Sequence, residues 1–550
     1  MTVEIGSIRH NWSGAFFLIL ILPIGVALYM NRDPWVDEAM LANNFVEMSL
    51  SQIRHPMPLY EQAAPVGHIL LAKLVLLFSG LVDRTFALRA LSALISLVGV
   101  TFLVQLACEE ASAASALAVA AVAFTSPFFV RYATEIKQYI FDFTATALIA
   151  YSAARIARSA TKRDFISFLI ASLFGCVFSF VAIIPIAFCL SAAALVRIFG
   201  GSHDHHAFSL RGAKKLTRNE FECFVVFGGG SLLIAIAFYF IFSRSMTSLL
   251  MAAYSDVFKD PYIGPGATYS ENFAILVRFA KFLIIFWTPE NVLAHLAQFG
   301  SPVKSATTFG LLVFILVAFV FCAIRSSYVA ISFCGAIALT IILNAANVVT
   351  IIFPRYLFFL APLLYLVIGL GVVEAYQRIV RRFSPGMESI VRVVCIISFL
   401  AVFGIVSTHS ANVKIEEISP LLSRIRTGAP DAPVWVYYGA QPAVRFLASK
   451  AVRQVGLFDP SSIIITWMVH GGGRLKDHIR QTDARYPLTI ETALKSQPRA
   501  WLIFSHAWVE PSFEPYLAAA RRAVGPCKLA ATAVGSRLYF CSAGNKLKYR

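Results

Sequence analysis

Charge is scarce in this chain of 550 residues: Asp, Glu, Lys and Arg together make up 14%, about half the share of a typical soluble domain. With 58% hydrophobic residues and a mean hydropathy of +0.71, that scarcity excludes an ordinary water-soluble protein. Acids are the scarcer sign, 30 against 47 basic residues. The resulting net charge of +17 invites a nucleic-acid reading. However, the basic residues cluster in short loops between apolar runs, where they set topology and meet anionic headgroups, so no nucleic-acid partner is expected. The nine cysteines include no CxxC pair, so neither a metal nor a redox motif is indicated. Most lie within apolar runs, as small packing residues. There is no phosphate loop or other ATP-binding motif, which argues against an energy-driven pump. The first apolar run, Trp12 to Met30, is not followed by a small-residue cleavage site and is read as a retained helix. Internal repeats and low-complexity tracts are absent as well.

What is present is a series of apolar runs near 20 residues, long enough to cross a bilayer as helices. The basic residues order them. Arg155, Arg158, Lys162 and Arg163 form the strongest cluster; Arg197, Arg211, Lys214, Lys215 and Arg218 form another; Arg325 stands alone; Arg378, Arg381, Arg382 and Arg392 form the last. All fall on the cytoplasmic side under one assignment, with spans at 12–30, 87–107, 112–130, 139–157, 165–180, 182–198, 223–243, 307–324, 328–345, 355–376 and 391–408. About eleven helices put the N-terminus inside and the C-terminus outside. Pro65 to Val82 then becomes an outer-face or re-entrant helix. Phe273 to Trp287, with Arg278 and Lys281, becomes an interfacial helix in a long outer loop, 244–306.

From about residue 409 the composition changes. Val434-Trp435-Val436-Tyr437-Tyr438 is a β-type run, followed by Gly439 and a helical stretch through Ala448; Trp501-Leu502-Ile503-Phe504 is a second strand. The predicted fold is a polytopic α-helical membrane protein over 1–408 carrying a small α/β domain over 409–550 on the outer face. Cys527 and Cys541 bracket a hairpin that turns near Gly535-Ser536, and a disulfide there depends on export to an oxidising compartment.

Four polar groups stand at the outer ends of the spans. Asp37-Glu38 lies where a chain starting in the cytoplasm first emerges. Desolvating two carboxylates at a membrane face is costly, so the pair is a functional hypothesis by default; its structural alternative is a pair of acids opening the helix that runs to Met48. Arg131 to Tyr139 places Glu135, two cations (Arg131 and Lys137) and two phenols (Tyr132 and Tyr139) in one short loop, with a solvated turn of interfacial tyrosines as the alternative. Phe353-Pro354-Arg355-Tyr356 opens a late span. Arg355 suits bidentate phosphate binding, or else contact with headgroups. Tyr60 to His68, containing Gln62 and Pro65, leads into the surface helix; His68 is more readily a packed histidine than a catalytic one. Arg84 and Arg89 map to the same side. Carboxylates and cations at an outer interface suit a reaction on a lipid phosphate: a base takes a proton from an acceptor hydroxyl while cations stabilise the departing phosphate. The alternative is a transporter or flippase for a lipid-linked sugar. It would need charges in mid-span, and the spans here are nearly free of them.

In order and content these motifs resemble the GT-C superfamily of membrane glycosyltransferases. Within it, the likeness is to the bacterial branch of aminoarabinose transferases, protein O-mannosyltransferase-like enzymes and galacturonosyltransferases of rhizobial lipopolysaccharide. An Asp-Glu motif in the first outer loop is matched by Asp37-Glu38, and a Gln/His-x-x-Pro element by Gln62-Ala63-Ala64-Pro65. An arginine opening the next span is matched by Arg89, a Tyr-x-x-Glu-x-Arg/Lys-x-Tyr element by Tyr132, Glu135, Lys137 and Tyr139, and a Pro-Arg-Tyr element by Pro354-Arg355-Tyr356. The likeness covers roughly residues 10 to 405. Two departures stand out. Many relatives pair prolines where this chain has Ala64-Pro65, some with a lysine on the donor phosphate; that contact falls here to Lys137 or Arg355. The second-loop acid is Glu135 instead of Asp, which leaves a divalent cation on Glu38 and Glu135 an open matter.

The resemblance implies a hexosyl or pentosyl transferase of the bacterial inner membrane, working in cell-envelope or lipopolysaccharide synthesis. Its donor would be a polyprenyl-phosphate-linked sugar, its acceptor a hydroxyl of a lipid, glycan or protein. Asp37 would be the general base of an inverting attack, with Glu38 and Glu135 orienting. Lys137, Arg355, Arg89 and Arg131 would meet the donor phosphate, and Gln62, Tyr132, Tyr139, Tyr356 and Tyr262 the substrates. The 244–306 loop, with Tyr254, Tyr262 and Tyr269, is expected to close over the donor, and the periplasmic C-terminal domain to bind the acceptor.

Overall fold

The computed structural model describes residues 32–53, 55, 57–59, 62–78, 83–199, 216–244, 268–286, 301–346, 349, 351, 354–380, 416–437, 439–447, 454–455, 490–505 and 513–544. Of the eleven expected spans, two (12–30 and 391–408) lie outside these residues, as do Tyr254 and Tyr262. The other nine are helical. Among the described residues, six helices are long and apolar enough to cross a membrane: Arg84–Glu110, Tyr139–Arg158, Arg218–Ser243, Thr308–Arg325, Ser327–Ala345 and Pro354–Ile379. Lys162–Phe178 and Ile183–Phe199 are shorter, 17 residues each.

The expected 112–130 span is two helices, Ala113–Thr125 and Pro127–Tyr132. Ser126 ends the first and caps the second: its Oγ accepts from the Phe129 amide at 3.1 Å, and Pro127 takes a first-turn position where its missing N–H is not needed. This break aims the short second helix, with Arg131 and Tyr132, into the polar loop that follows it. The expected surface helix after Pro65 is Val66–Leu77, too short at 12 residues to cross a membrane. Leu70, Leu74, Leu77 and Phe78 form an exposed apolar flank on it. The helix expected at the interface is Tyr269–Ile285, opened by a Thr268/Glu271 capping box and burying Ile275, Phe279 and Phe282.

Tyr139–Arg158 and Pro354–Ile379 are the most enclosed of the spans. The latter starts as a 3-10 turn, Pro354–Leu360, and continues as an α-helix, Ala361–Val380. Two glycines let it approach its neighbours backbone to backbone: a Cβ on Gly371 would fall 2.0 Å from the Ala318 carbonyl oxygen, and one on Gly369 would fall 2.8 Å from the Val119 amide. Tyr365 donates its hydroxyl toward Ser126 Oγ (2.6 Å) and the Phe286 carbonyl (3.0 Å), tying this helix to the break at Ser126 and to the end of the helix Tyr269–Ile285.

The C-terminal domain is α/β, as expected. Strands β1 (Val434–Val436), β2 (Gln454–Val455), β3 (Arg499–Ser505), β4 (Cys527–Ala533) and β5 (Ser536–Ser542) form one sheet in the order β2-β1-β3-β5-β4. β1 is parallel to β2 and β3, and β5 is antiparallel to β3 and β4. The twofold side-chain period builds a core on each face. Val434, Val436 and Ile503 pack with the helix Ser419–Gly428, while Trp435, Leu502 and Phe504 pack with Glu514–Ala523. Cys527 and Cys541 face each other across β4 and β5 and are joined in a disulfide.

Candidate active site

The site is built on the helix Val36–Glu47, whose first turn carries Asp37 and Glu38. Successive helical residues point about 100° apart, so the two acids face different surroundings. Glu38 turns inward and is fully buried. Its Oε2 accepts from Arg89 Nη2 at 2.9 Å and from the Trp35 amide at 3.3 Å; its Oε1 accepts from Arg89 Nε at 3.3 Å and the Ile136 amide at 2.9 Å. One carboxylate therefore ties the acidic helix, the Arg84–Glu110 span and the loop before Tyr139 together. Burial favours its neutral form, but the charges of Arg89 and Arg32 and these hydrogen bonds outweigh that and hold it below the usual carboxylate range. Arg89, expected at the donor phosphate, is committed to Glu38 and donates further to the carbonyls of Arg32 and Asp33.

Asp37 faces the open side. Its side chain is 25% exposed, and Oδ2 lies 3.1 Å from Arg355 Nη1. Arg355, 20% exposed, lies over the ring of Tyr356 at 5.3 Å. Lys137 is buried beside this pair and donates to Gln62 Oε1 at 2.8 Å. Burial lowers the pKa of Lys137; the Asp37 carboxylate opposes that and Arg355 adds to it, so all three charges feel one another. The structure thus brings together Asp37, Arg355, Lys137 and Gln62 from four separate segments. Tyr132, Tyr139 and Tyr356 form an aromatic wall, with ring centroids 5.1 Å apart for the first two and 6.3 Å for the last two.

Glu135 is buried, with Oε1 on Arg131 Nε at 2.5 Å and Oε2 without a hydrogen-bond partner. Arg131 lies over the rings of Trp35 (5.7 Å) and Tyr132 (6.0 Å), and its pKa is raised chiefly by Glu135. Glu38 and Glu135, considered for a divalent cation, each engage an arginine, and among the described residues no three His, Cys, Asp or Glu side chains converge. Two carboxylates already neutralised by arginines are a poor donor set for a metal ion. His68 packs between Phe45 (4.9 Å) and Phe141 (4.4 Å); burial first, then Lys137, push its pKa down to about 3, so it is a neutral packed residue. Tyr269, of the tyrosines expected over the donor, opens the interfacial helix at 96% exposure. Arg32, Asp33 and Trp35 are parts of the site that sequence reasoning passed over. Two charges directly after the first span, just ahead of the acidic pair, were the available signal.

No family model matches the chain, and a search of curated proteins finds no significant match. Among solved structures the chain is similar to ArnT from Cupriavidus metallidurans in the apo state, with a TM-score of 0.51 at 12% identity over 97% of this chain and 98% of ArnT. ArnT bound to undecaprenyl phosphate gives a TM-score of 0.48 at 12% identity over 97% and 98% of the two chains. The oligosaccharyltransferase AglB from Archaeoglobus fulgidus, in complex with an inhibitory peptide and a dolichol-phosphate, gives 0.46 at 12% identity over 93% of this chain and 72% of AglB. The likeness to apo ArnT runs nearly end to end through the membrane helices and the C-terminal domain. The chain therefore shares its overall fold with ArnT.

Proposed function

We propose that the protein is a glycosyltransferase that moves a sugar from a polyprenyl-phosphate donor to an acceptor hydroxyl at the outer face of a bacterial inner membrane, inverting the anomeric centre. The observation that carries this reading is the partly exposed Asp37–Arg355 pair with Lys137 beside it. A base that must meet an acceptor needs access, and cations that must meet a lipid phosphate belong at the end of a lipid-facing bundle. In the reaction, the acceptor O–H proton passes to an Asp37 oxygen. The hydroxyl oxygen bonds to the anomeric carbon from the face opposite the phosphate. The bond from that carbon to the phosphate oxygen breaks, and its electron pair leaves with polyprenyl phosphate. Arg355 and Lys137 offset the charge on the leaving group.

A phosphate at Arg355 competes with Asp37 for the guanidinium. Loss of that cation makes the carboxylate a better base, so donor binding prepares the base. Gln62 orients Lys137, and the Glu38–Arg89 pair holds the acidic helix; both are positioning roles. Tyr132, Tyr139 and Tyr356 offer ring faces to the sugar. The donor sugar is a hexose or pentose, the acceptor a lipid, glycan or protein of the cell envelope. The N-terminus is cytoplasmic and the domain beyond about residue 408 is periplasmic. The test supplies purified protein with a polyprenyl-phosphate sugar and membranes from a host lacking the protein. Release of polyprenyl phosphate coupled to labelling of the membranes is expected. Lipid-linked sugar crossing vesicles with no release would overturn the transferase in favour of a transporter.

A further inference from the structure

The acidic helix is gripped from two sides. One side, with Glu38, Leu41 and Phe45, packs into the membrane core. A second stripe, at Val36, Ala39, Asn43 and Glu47, has the three- and four-residue spacing of one helical face and meets the C-terminal domain. Ala39 is buried in the same core as Leu421, Ile425 and Val444. Asn43 Nδ2 donates to the Pro442 carbonyl at 2.9 Å, and Arg445 Nε donates to Glu47 Oε1 at 2.8 Å.

At the start of the helix the two domains cap each other. Asp33, four residues before Asp37, accepts from the amides of Ile418 (2.6 Å) and Ser419 (2.5 Å) and from Ser419 Oγ (2.5 Å), satisfying the N-terminus of the helix Ser419–Gly428. In return, Glu416 Oε2 accepts from the amide of Val36, the first residue of the acidic helix, at 3.1 Å. A carboxylate from each domain therefore fixes the first turn of a helix in the other, and one of those turns carries Asp37.

We propose that Asp33 and Glu416 are positioning residues for the base: the C-terminal domain sets where Asp37 stands and is an integral part of the active site. This rests on the transferase reading above. Lys137 and Arg355 stand on other segments, so loosening the reciprocal cap moves the base relative to the phosphate site without dismantling that site. Displacement of a reacting group by about 1 Å lowers rate on the order of a hundredfold.

Asp33→Ala and Glu416→Ala in the full-length protein test it. Each is expected to lower kcat by about tenfold or more, with KM for the lipid-linked sugar changed by less than about threefold. Hydrogen exchange is expected to quicken in 36–47 and in 419–428, and not in the spans. A smaller fall is expected for Ser419→Ala, which removes a single bond to Asp33. Unchanged kcat in both variants, or a loss confined to KM, would overturn the proposal. If Asp33→Ala does not accumulate as folded protein, Glu416→Ala and Ser419→Ala decide by the same readouts. If the wild type transfers no sugar, the transferase reading fails by itself. Exchange that quickens in both helices would then still support the cross-domain cap, and exchange unchanged in both would refute it.

Discussion

Asp37 and Glu38 are neighbours in sequence with opposite surroundings, and the difference is geometric. Glu38 is enclosed with Arg89, where removing either partner would leave an uncompensated buried charge, at a cost of about 3–5 kcal/mol. Asp37 and Arg355 keep contact with solvent, so their pairing is cheap to break and can be exchanged for a ligand. Lys137 gives this arrangement a pH signature. Burial lowers its pKa from the ordinary lysine value, so the free enzyme loses that proton at a lower pH than an exposed lysine would. Phosphate binding needs the protonated form. In consequence, kcat/KM for the donor is expected to fall about tenfold per pH unit on an early alkaline limb. In Lys137→Arg the limb should move to higher pH, because a guanidinium keeps its proton; pH profiles of the two proteins check this.

At the scale of elements, hydropathy made the helices legible because a bilayer demands long apolar runs with their backbone bonds satisfied internally. The same signal could not find the break at Ser126-Pro127, since both halves are apolar, although the Ser-Pro pair is itself a turn signal. Nor could it find the 3-10 turn Pro354–Leu360. The motif residues Asp37, Gln62, Lys137 and Arg355 were legible as an ordered set of polar residues between or beside apolar runs. The commitment of Arg89 to Glu38 was not, because that pair is set by tertiary packing across 51 residues of sequence. Close helix approach yields a prediction of its own. Gly371→Ala places a Cβ against the Ala318 backbone and is expected to destabilise the bundle by about 1–3 kcal/mol. Gly310→Ala, where a Cβ meets nothing within 4 Å, is expected to be neutral or slightly stabilising. Thermal unfolding of both variants in detergent separates them.

For the whole molecule, 12% identity over 97% of the chain shows how little residue identity the fold requires. Apolar pattern, helix breaks and a few charged ties are enough to place the acidic helix between a membrane bundle and an α/β domain. The cross-domain caps tie the C-terminal domain to the first turn of the acidic helix. The proposed role of Asp37 as the base of glycosyl transfer is open to experiment. Its most direct test is a single-turnover assay in which wild type and Asp37→Asn are loaded with a polyprenyl-phosphate sugar and then given acceptor membranes, with donor occupancy measured before acceptor is added. Donor binding is expected to be equal or tighter in Asp37→Asn, since Arg355 is released to the phosphate, and polyprenyl phosphate release is expected to fall by at least about a hundredfold. Release at the wild-type rate by the occupied Asp37→Asn enzyme would contradict that role.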